Sequence, residues 1–244
     1  MSNTVIIIPS RLAAKRLPNK PLLKINGIPI VVHTMNRAKE SNVGDVFVAT
    51  PDSKIAEIVE KNNGKVILTQ DKHLTGTDRI YEAYSKTMNQ KFDLIINLQG
   101  DMPNIKSSAI SKLEKLTRSH QCDIGTLGSI FKTNDKMEDP NIVKVEVSEK
   151  LKANSFLQAN DFFRIKKNLN NKDMIYHHLG IYAFTNTSLT QYVKLPRSKN
   201  ELERNLEQMR AMDNNLIVKV GLSDSVPLGI DTEEDLEKVT KEMS

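Results

Sequence analysis

An α/β fold, with a central, mostly parallel sheet and a smaller antiparallel elaboration in the C-terminal half, is what this 244-residue sequence predicts. Three observations carry that prediction. Residues 5–8 are a continuous β-branched run and residues 93–98 (DLIINL) a mainly apolar one, as strands covered on both faces require. Over residues 4–118, strand-like runs alternate with stretches of helical period, and a parallel sheet is the economical way to pack that alternation. After residue 124 strands become frequent, which points to antiparallel pairing.

Pro9 ends the first ladder, and the loop beyond it is crowded with cations. Arg11, Lys15, Arg16 and Lys20 fall within ten residues, where 35 basic residues in 244 would place one or two. Pro18 and Pro21 discourage a long helix through Lys20. There is no glycine before Gly27 and no GxxxxGK[ST] motif, so side chains rather than a backbone cradle would hold a polyanion here. Open α/β sheets bind ligands at the carboxyl ends of their central strands, and a triphosphate suits such a loop. A solvated basic surface is the plainer alternative.

Pro29 reads as the first residue of a helix, followed by Ile30, Val31, Thr34, Met35 and Ala38 at helical spacing. Residues 45–50 form a second strand. A helix over 54–63 closes on Gly64 as its C′ residue, and 65–69 is a third strand. Thr75-Gly76-Thr77-Asp78-Arg79 precedes an amphipathic helix, which its hydroxyls either cap or equip to meet a ligand. The strand over 93–98 runs into Gln99, Gly100 and Asp101. Gly100 allows close approach, and Asp101 is either a turn residue or a metal carboxylate.

A helix over 107–118 precedes strands at 124–131, 142–147, 152–158 and 177–184. His178 and Tyr182 lie four apart on the last of these and share a face. Glu207 and Gln208 are neighbours on a helix over 203–210. A satisfied core histidine and a solvated helix face are the plainer readings of these two pairs. Residues 168–172 (NLNNK) read as a surface loop. Near the end Thr232 and Asp235 have capping-box spacing, with Asp231 one step outside.

Composition narrows the possibilities. A 39% hydrophobic content at this length suits one sizeable core, so a single domain over 1–244 is expected, and the change to frequent strands marks 140–215 as an antiparallel elaboration carrying a pocket or a dimer contact. A net charge of +5 favours anionic partners weakly. The single cysteine, Cys122, excludes an internal disulfide, and no base lies obviously beside it for nucleophilic use. With no signal peptide and no apolar run of about 20 residues, a soluble cytoplasmic protein without membrane contact is expected. The 5% aromatic content and absent tryptophan argue against an RNA-binding module, the alternative use of the basic loop.

IPSRLAAKRLPNKPL at 8–22 resembles the IPAR…S.RLPGKPL signature of 3-deoxy-manno-octulosonate (Kdo) cytidylyltransferases, in the Rossmann-like nucleotide-diphospho-sugar transferase superfamily. TGTDR at 75–79 is similar to SGTER, and QGDMP at 99–103 to QGDEP, with Met102 in place of the glutamate. HLGIY at 178–182, LEQMR at 206–210 and IDTEEDL at 230–236 continue the pattern in order, so the resemblance runs from residue 4 to 243. Neither a GxGTRL loop nor a KGIPGKN-like element is present, which separates the chain from hexose-1-phosphate and sialic acid relatives.

The resemblance implies transfer of a cytidylyl group from CTP to an acid sugar, for lipopolysaccharide precursors, by a Mg²⁺-dependent homodimer. It implies that Arg11, Arg16 and Lys20 bind the triphosphate, that Gly76 and Thr77 lie at the nucleotide, and that Asp101 and Asp231 hold the metal. Arg79, Gln99, Gln158, His178, Tyr182, Glu207 and Gln208 are then acceptor contacts, and no nucleic acid is a partner. One departure bears on the acceptor. The family reads YFSRA where this chain has SFLQA at 155–159, so Gln158 stands in place of an arginine. Either that arginine is structural, or nearby Arg164 replaces it, or the acceptor is a modified Kdo or another ulosonic acid.

Overall fold

The run at 5–8 forms the middle of β1 (Thr4–Pro9), and its four apolar side chains are fully buried. The computed structural model describes residues 3–13, 16–87, 91–131, 133–166 and 171–244. Lys15 and residues 168–170 of the asparagine-rich stretch lie outside them. After β1 come a short hairpin, β2 (Lys24–Ile25) and β3 (Ile28–Pro29), then α1 (Ile30–Glu40), β4 (Asp45–Thr50), α2 (Ser53–Lys61), β5 (Lys65–Leu68), α3 (Gly76–Thr87), β6 (Leu94–Leu98) and α4 (Ser107–Ser119). β1 pairs in parallel with β4 and β6, and β4 with β5, giving the order β5-β4-β1-β6. The most apolar strand therefore sits between two others, and its carboxyl end releases the basic loop.

The chain continues through β7 (Ile124–Ser129), α5 (Asn134–Glu138), β8 (Lys144–Val147), β9 (Phe156–Phe163), β10 (Ile175–Thr185), α6 (Asn186–Lys194), α7 (Lys199–Arg204), α8 (Met209–Asp213) and β11 (Val218–Leu222), ending in α9 (Glu233–Glu242). Two compact units result, Met1–Ser111 with Pro227–Ser244, and Lys112–Val226. In the second, β10 is antiparallel to β7 and β8, β9 is antiparallel to β8 and β11, and β11 runs parallel to β7. The sheet is therefore mixed rather than mostly parallel. Among the described residues, four antiparallel pairings and one parallel pairing join the five strands of the second unit, against three parallel pairings in the first, so the antiparallel elaboration is not the smaller part. Strands that follow one another without crossover helices pair most directly with reversed neighbours.

Several predicted boundaries move for local reasons. Pro29 pairs with Lys24 and caps α1 from outside, because Ile30 N–H donates back to Leu23 O at 2.9 Å. Asn63, not Gly64, takes the left-handed conformation after α2, at φ 56°. Gly64 answers a packing demand instead, since a Cβ there would lie 2.4 Å from both Met35 Sδ and Val59 Cγ1. The strand expected at 152–158 starts at Phe156, because Lys152 and Ser155 close a turn in which Ser155 Oγ accepts the Lys152 N–H at 2.7 Å.

A separate apolar cluster carries α9 back to the first unit. Leu17, Ile25, Ile30, Ile230 and Val239 are buried together, with Leu23, Leu228, Leu236 and Met243 packed around them. Thr232 and Asp235 form the predicted capping box at the start of α9. Among the described residues, no helix is long and apolar enough to cross a membrane.

Candidate active site

The basic loop is held at both ends by contacts that its own composition does not announce. Ser10 N–H donates to Ala49 O at 2.9 Å, extending the β1 ladder, and Leu12 N–H donates to Asp52 Oδ2 at 2.9 Å. Asp52 carries no motif, and its carboxylate serves the loop rather than the helix it precedes. At the far end, burial of Leu17 fixes the chain, and Asn19 adopts φ 56° where the family pattern has glycine. Asparagine is among the few other residues that enter this region readily. The turn directs Lys20 inward, leaving its side chain 15% exposed.

Lys20 gathers the two aspartates that lie 130 positions apart. Its ammonium donates to Asp101 Oδ2 at 2.8 Å, Asp231 Oδ1 at 3.2 Å and Ile230 O at 2.7 Å. Arg16 meets the other oxygen of Asp231 at 2.8 Å. Burial works against the charge on Lys20, but Asp101 and then Asp231 outweigh it, so its pKa lies above the ordinary lysine value. The backbone makes the meeting possible. Ile230 N–H donates to Asp101 O at 3.2 Å, while Ile230 is anchored in the Leu17 cluster. Gly100 lets the strand end approach β1, since a Cβ there would lie 3.0 Å from Pro9 O.

These groups line a cleft of about 710 Å³, together with Arg11, Gly76 and Gln99. The hydroxyl of Thr75 caps α3 through the Asp78 N–H at 3.1 Å. Thr77 is buried and accepts from Asn97 Nδ2 at 3.1 Å. Arg79 also lines the cleft, yet its guanidinium donates to Thr69 Oγ1 at 2.7 Å and Gln70 O at 2.9 Å. Burial lowers its pKa, and the charge of Arg11 lowers it further.

His73, which sequence reasoning missed, stands at this wall and bonds to Glu82, which also accepts from Gln70 N–H at 2.9 Å and from Lys86. Burial pushes the Glu82 pKa up, but the bonds from His73, Lys86 and Gln70 prevail and bring it to about 2. A pKa held below the unfolded value contributes stability above about pH 4.5 and loses it as pH falls toward 2. Glu82→Gln is accordingly expected to show a shallower decline of the urea midpoint across that window than the wild type, and identical slopes would contradict this.

In the second unit, His178 is buried, with Nε2 2.9 Å from Thr126 Oγ1 and its ring edge-on to Phe162. Burial, aided by His177, lowers its pKa to about 3, so the imidazole is neutral. Its ring centroid lies 5.5 Å from that of Tyr182, despite a bulge in β10 between Leu179 and Tyr182. Tyr182 O–H donates to Gln208 Oε1 at 3.1 Å, and the buried Gln208 Nε2 has no hydrogen-bond partner among the described residues. Glu207 and Gln208 do not share one helix. Asn205 breaks it at φ 53°, and Gln208 caps α8. Gln158 is exposed on β9 opposite Lys219, and Arg164 donates to Asn141 O at 2.7 Å. Burial raises the Cys122 thiol to about 11, which removes it as a nucleophile near neutral pH.

The sequence matches the cytidylyltransferase family over residues 5–220. A 3-deoxy-manno-octulosonate cytidylyltransferase of Rhodopseudomonas palustris (strain BisB5) is 40% identical over 236 residues, covering 96% of this chain and 95% of the relative. One from Thermodesulfovibrio yellowstonii is 40% identical over 247 residues, covering 98% and 97%. Among solved structures, a CMP:2-keto-3-deoxy-manno-octonic acid synthetase complexed with CTP superposes with a TM-score of 0.88 at 34% identity, covering 98% of each chain.

Proposed function

The chain belongs to the 3-deoxy-manno-octulosonate cytidylyltransferase family, and from that membership we propose that it makes CMP-Kdo and pyrophosphate from CTP and Kdo. The observation that carries the reading is the convergence of three cations and two carboxylates in one cleft at the carboxyl end of the central strand. In the reaction an acceptor hydroxyl oxygen bonds to the α-phosphorus, the bond to the β-phosphate bridging oxygen breaks, and the hydroxyl proton is released. Arg11 and Arg16 hold the triphosphate as side-chain clamps, and Lys20 balances the charge that grows on the leaving pyrophosphate. Gly76 lines the cleft at the proposed nucleotide site and Gln99 lines it as a proposed acceptor contact, Thr77 is buried behind it against Asn97, and Arg79 acts chiefly by fixing Thr69 and Gln70.

Asp101 and Asp231 offer hard oxygen donors, and Mg²⁺ commonly takes one or two protein carboxylates and completes its shell with phosphate oxygens and water. The pair therefore fits that ion, although among the described residues no third histidine, cysteine or acid joins it. When bound, Mg²⁺ would neutralise phosphate charge and lower the pKa of the attacking hydroxyl. Of the acceptor residues that the resemblance implies, Gln208 keeps a buried Nε2 with no hydrogen-bond partner among the described residues, and that N–H would suit a sugar oxygen. The reading includes a cytoplasmic homodimer supplying lipopolysaccharide precursors.

Pyrophosphate release on mixing the protein with CTP, Kdo and Mg²⁺ tests the proposal, and no release above a no-enzyme control would refute it. The same assay addresses acceptor choice. If Gln158 replaces a carboxylate-binding arginine, Gln158→Arg should raise kcat/KM for Kdo about 5- to 150-fold, the equivalent of about 1–3 kcal/mol. An unchanged kcat/KM would mean that position 158 does not read the acceptor.

A further inference from the structure

We infer that Lys20 is a resident competitor for the carboxylate pair: its ammonium occupies the oxygens of Asp101 and Asp231 that a divalent cation needs, and it yields them when substrate phosphate draws it away. The inference rests on the function proposed above. Lysine has three N–H donors, and all three are engaged, by Asp101 Oδ2 at 2.8 Å, Asp231 Oδ1 at 3.2 Å and Ile230 O at 2.7 Å. The head group cannot keep these bonds and also serve a phosphate. Arg16 occupies the remaining Asp231 oxygen at 2.8 Å, so cations hold three of the four carboxylate oxygens.

An ammonium and a divalent ion cannot share this pair without strong like-charge repulsion in a partly desolvated site. The arrangement thus has two charge states. In the first, Lys20 and Arg16 neutralise the aspartates. In the second, a triphosphate accepts Lys20 and Arg16, and the freed carboxylates take the metal that arrives with it. Metal and nucleotide are coupled through the exchange of one side chain between partners, and the protein alone binds the ion weakly. The carboxylates do not depend on Lys20 to stay together, because the Ile230 to Asp101 backbone bond at 3.2 Å and the Leu17 cluster hold both main chains.

The test is titration of Mn²⁺ into nucleotide-free protein, read as free Mn²⁺ by electron paramagnetic resonance, for the wild type, Lys20→Met and the double variant Lys20→Met/Asp231→Asn. Lys20→Met is expected to bind Mn²⁺ at least about tenfold tighter than the wild type, and the double variant should lose that gain. Affinity equal to or below wild type in Lys20→Met overturns the inference. So does a gain that survives Asp231→Asn, since it would place the ion elsewhere. If Lys20→Met does not fold, judged by circular dichroism, Lys20→Gln provides the same comparison with a polar head. The readout needs no turnover, so it fails or succeeds independently of the pyrophosphate assay.

Discussion

Asp101→Ala is expected to lower kcat by about 10³-fold or more while leaving the fold intact, and Asp231→Ala to do the same. Each carboxylate is proposed to hold a divalent ion that supplies several kcal/mol of charge stabilisation, and about 1.4 kcal/mol corresponds to each decade of rate. The fold survives because the main chain, not these side chains, joins the segments. Asp101 contributes its carbonyl to Ile230 N–H at 3.2 Å, and the Asp231 side chain is 45% exposed. Asp231 also precedes α9, whose cap is made by Thr232 and Asp235 and remains. Steady-state pyrophosphate release at ordinary Mg²⁺, with circular dichroism of each purified variant, decides the matter. Near wild-type turnover by either would end the metal assignment.

The largest effect on stability is expected from Glu201→Ala, at about 3–5 kcal/mol. Glu201 is fully buried and accepts from Arg210 Nε at 2.8 Å, Arg210 Nη2 at 2.7 Å and Arg197 Nε at 2.8 Å. Removing it leaves the Arg210 guanidinium, itself 3% exposed, without its carboxylate. The stacking of Arg210 on Tyr192, at 4.7 Å, compensates only in part. The pair also folds residues 205–210 back on α7, so its loss is expected to loosen the contact of Gln208 with Tyr182. Urea unfolding followed by circular dichroism measures the cost, and a loss below about 1 kcal/mol would show that the pair is not the anchor described.

The same pair explains why the structure breaks the helix that the sequence predicts over 203–210. Its residues have acceptable helical propensity, but a buried ionic bond between positions nine apart requires the chain to turn, and Asn205 provides the turn. Likewise, the periodicity around β9 and the glycine after α2 were legible as types of feature. Their placement depended on a serine turn and on contact with Met35. His73 and Asp52 carried no spacing signal, since their partners, Glu82 and Leu12 N–H, are recognisable only once the loops are folded.

The sequence by itself determined the parallel half of the sheet, the basic loop at its central strand, the last helix cap and, through ordered motifs, the family. These follow from local rules: side-chain burial sets strand identity, proline and capping residues set ends, and a cluster of like charges needs an anionic partner or solvent. Tertiary structure alone decided that Asp101 and Asp231 meet on Lys20, and that the second unit carries five strands. The meeting of the two aspartates turns on contacts between residues far apart in the chain. An apolar cluster from Leu17 to Val239 and one backbone bond from Ile230 to Asp101 select the partners, and no local pattern encodes which distant surface will be buried.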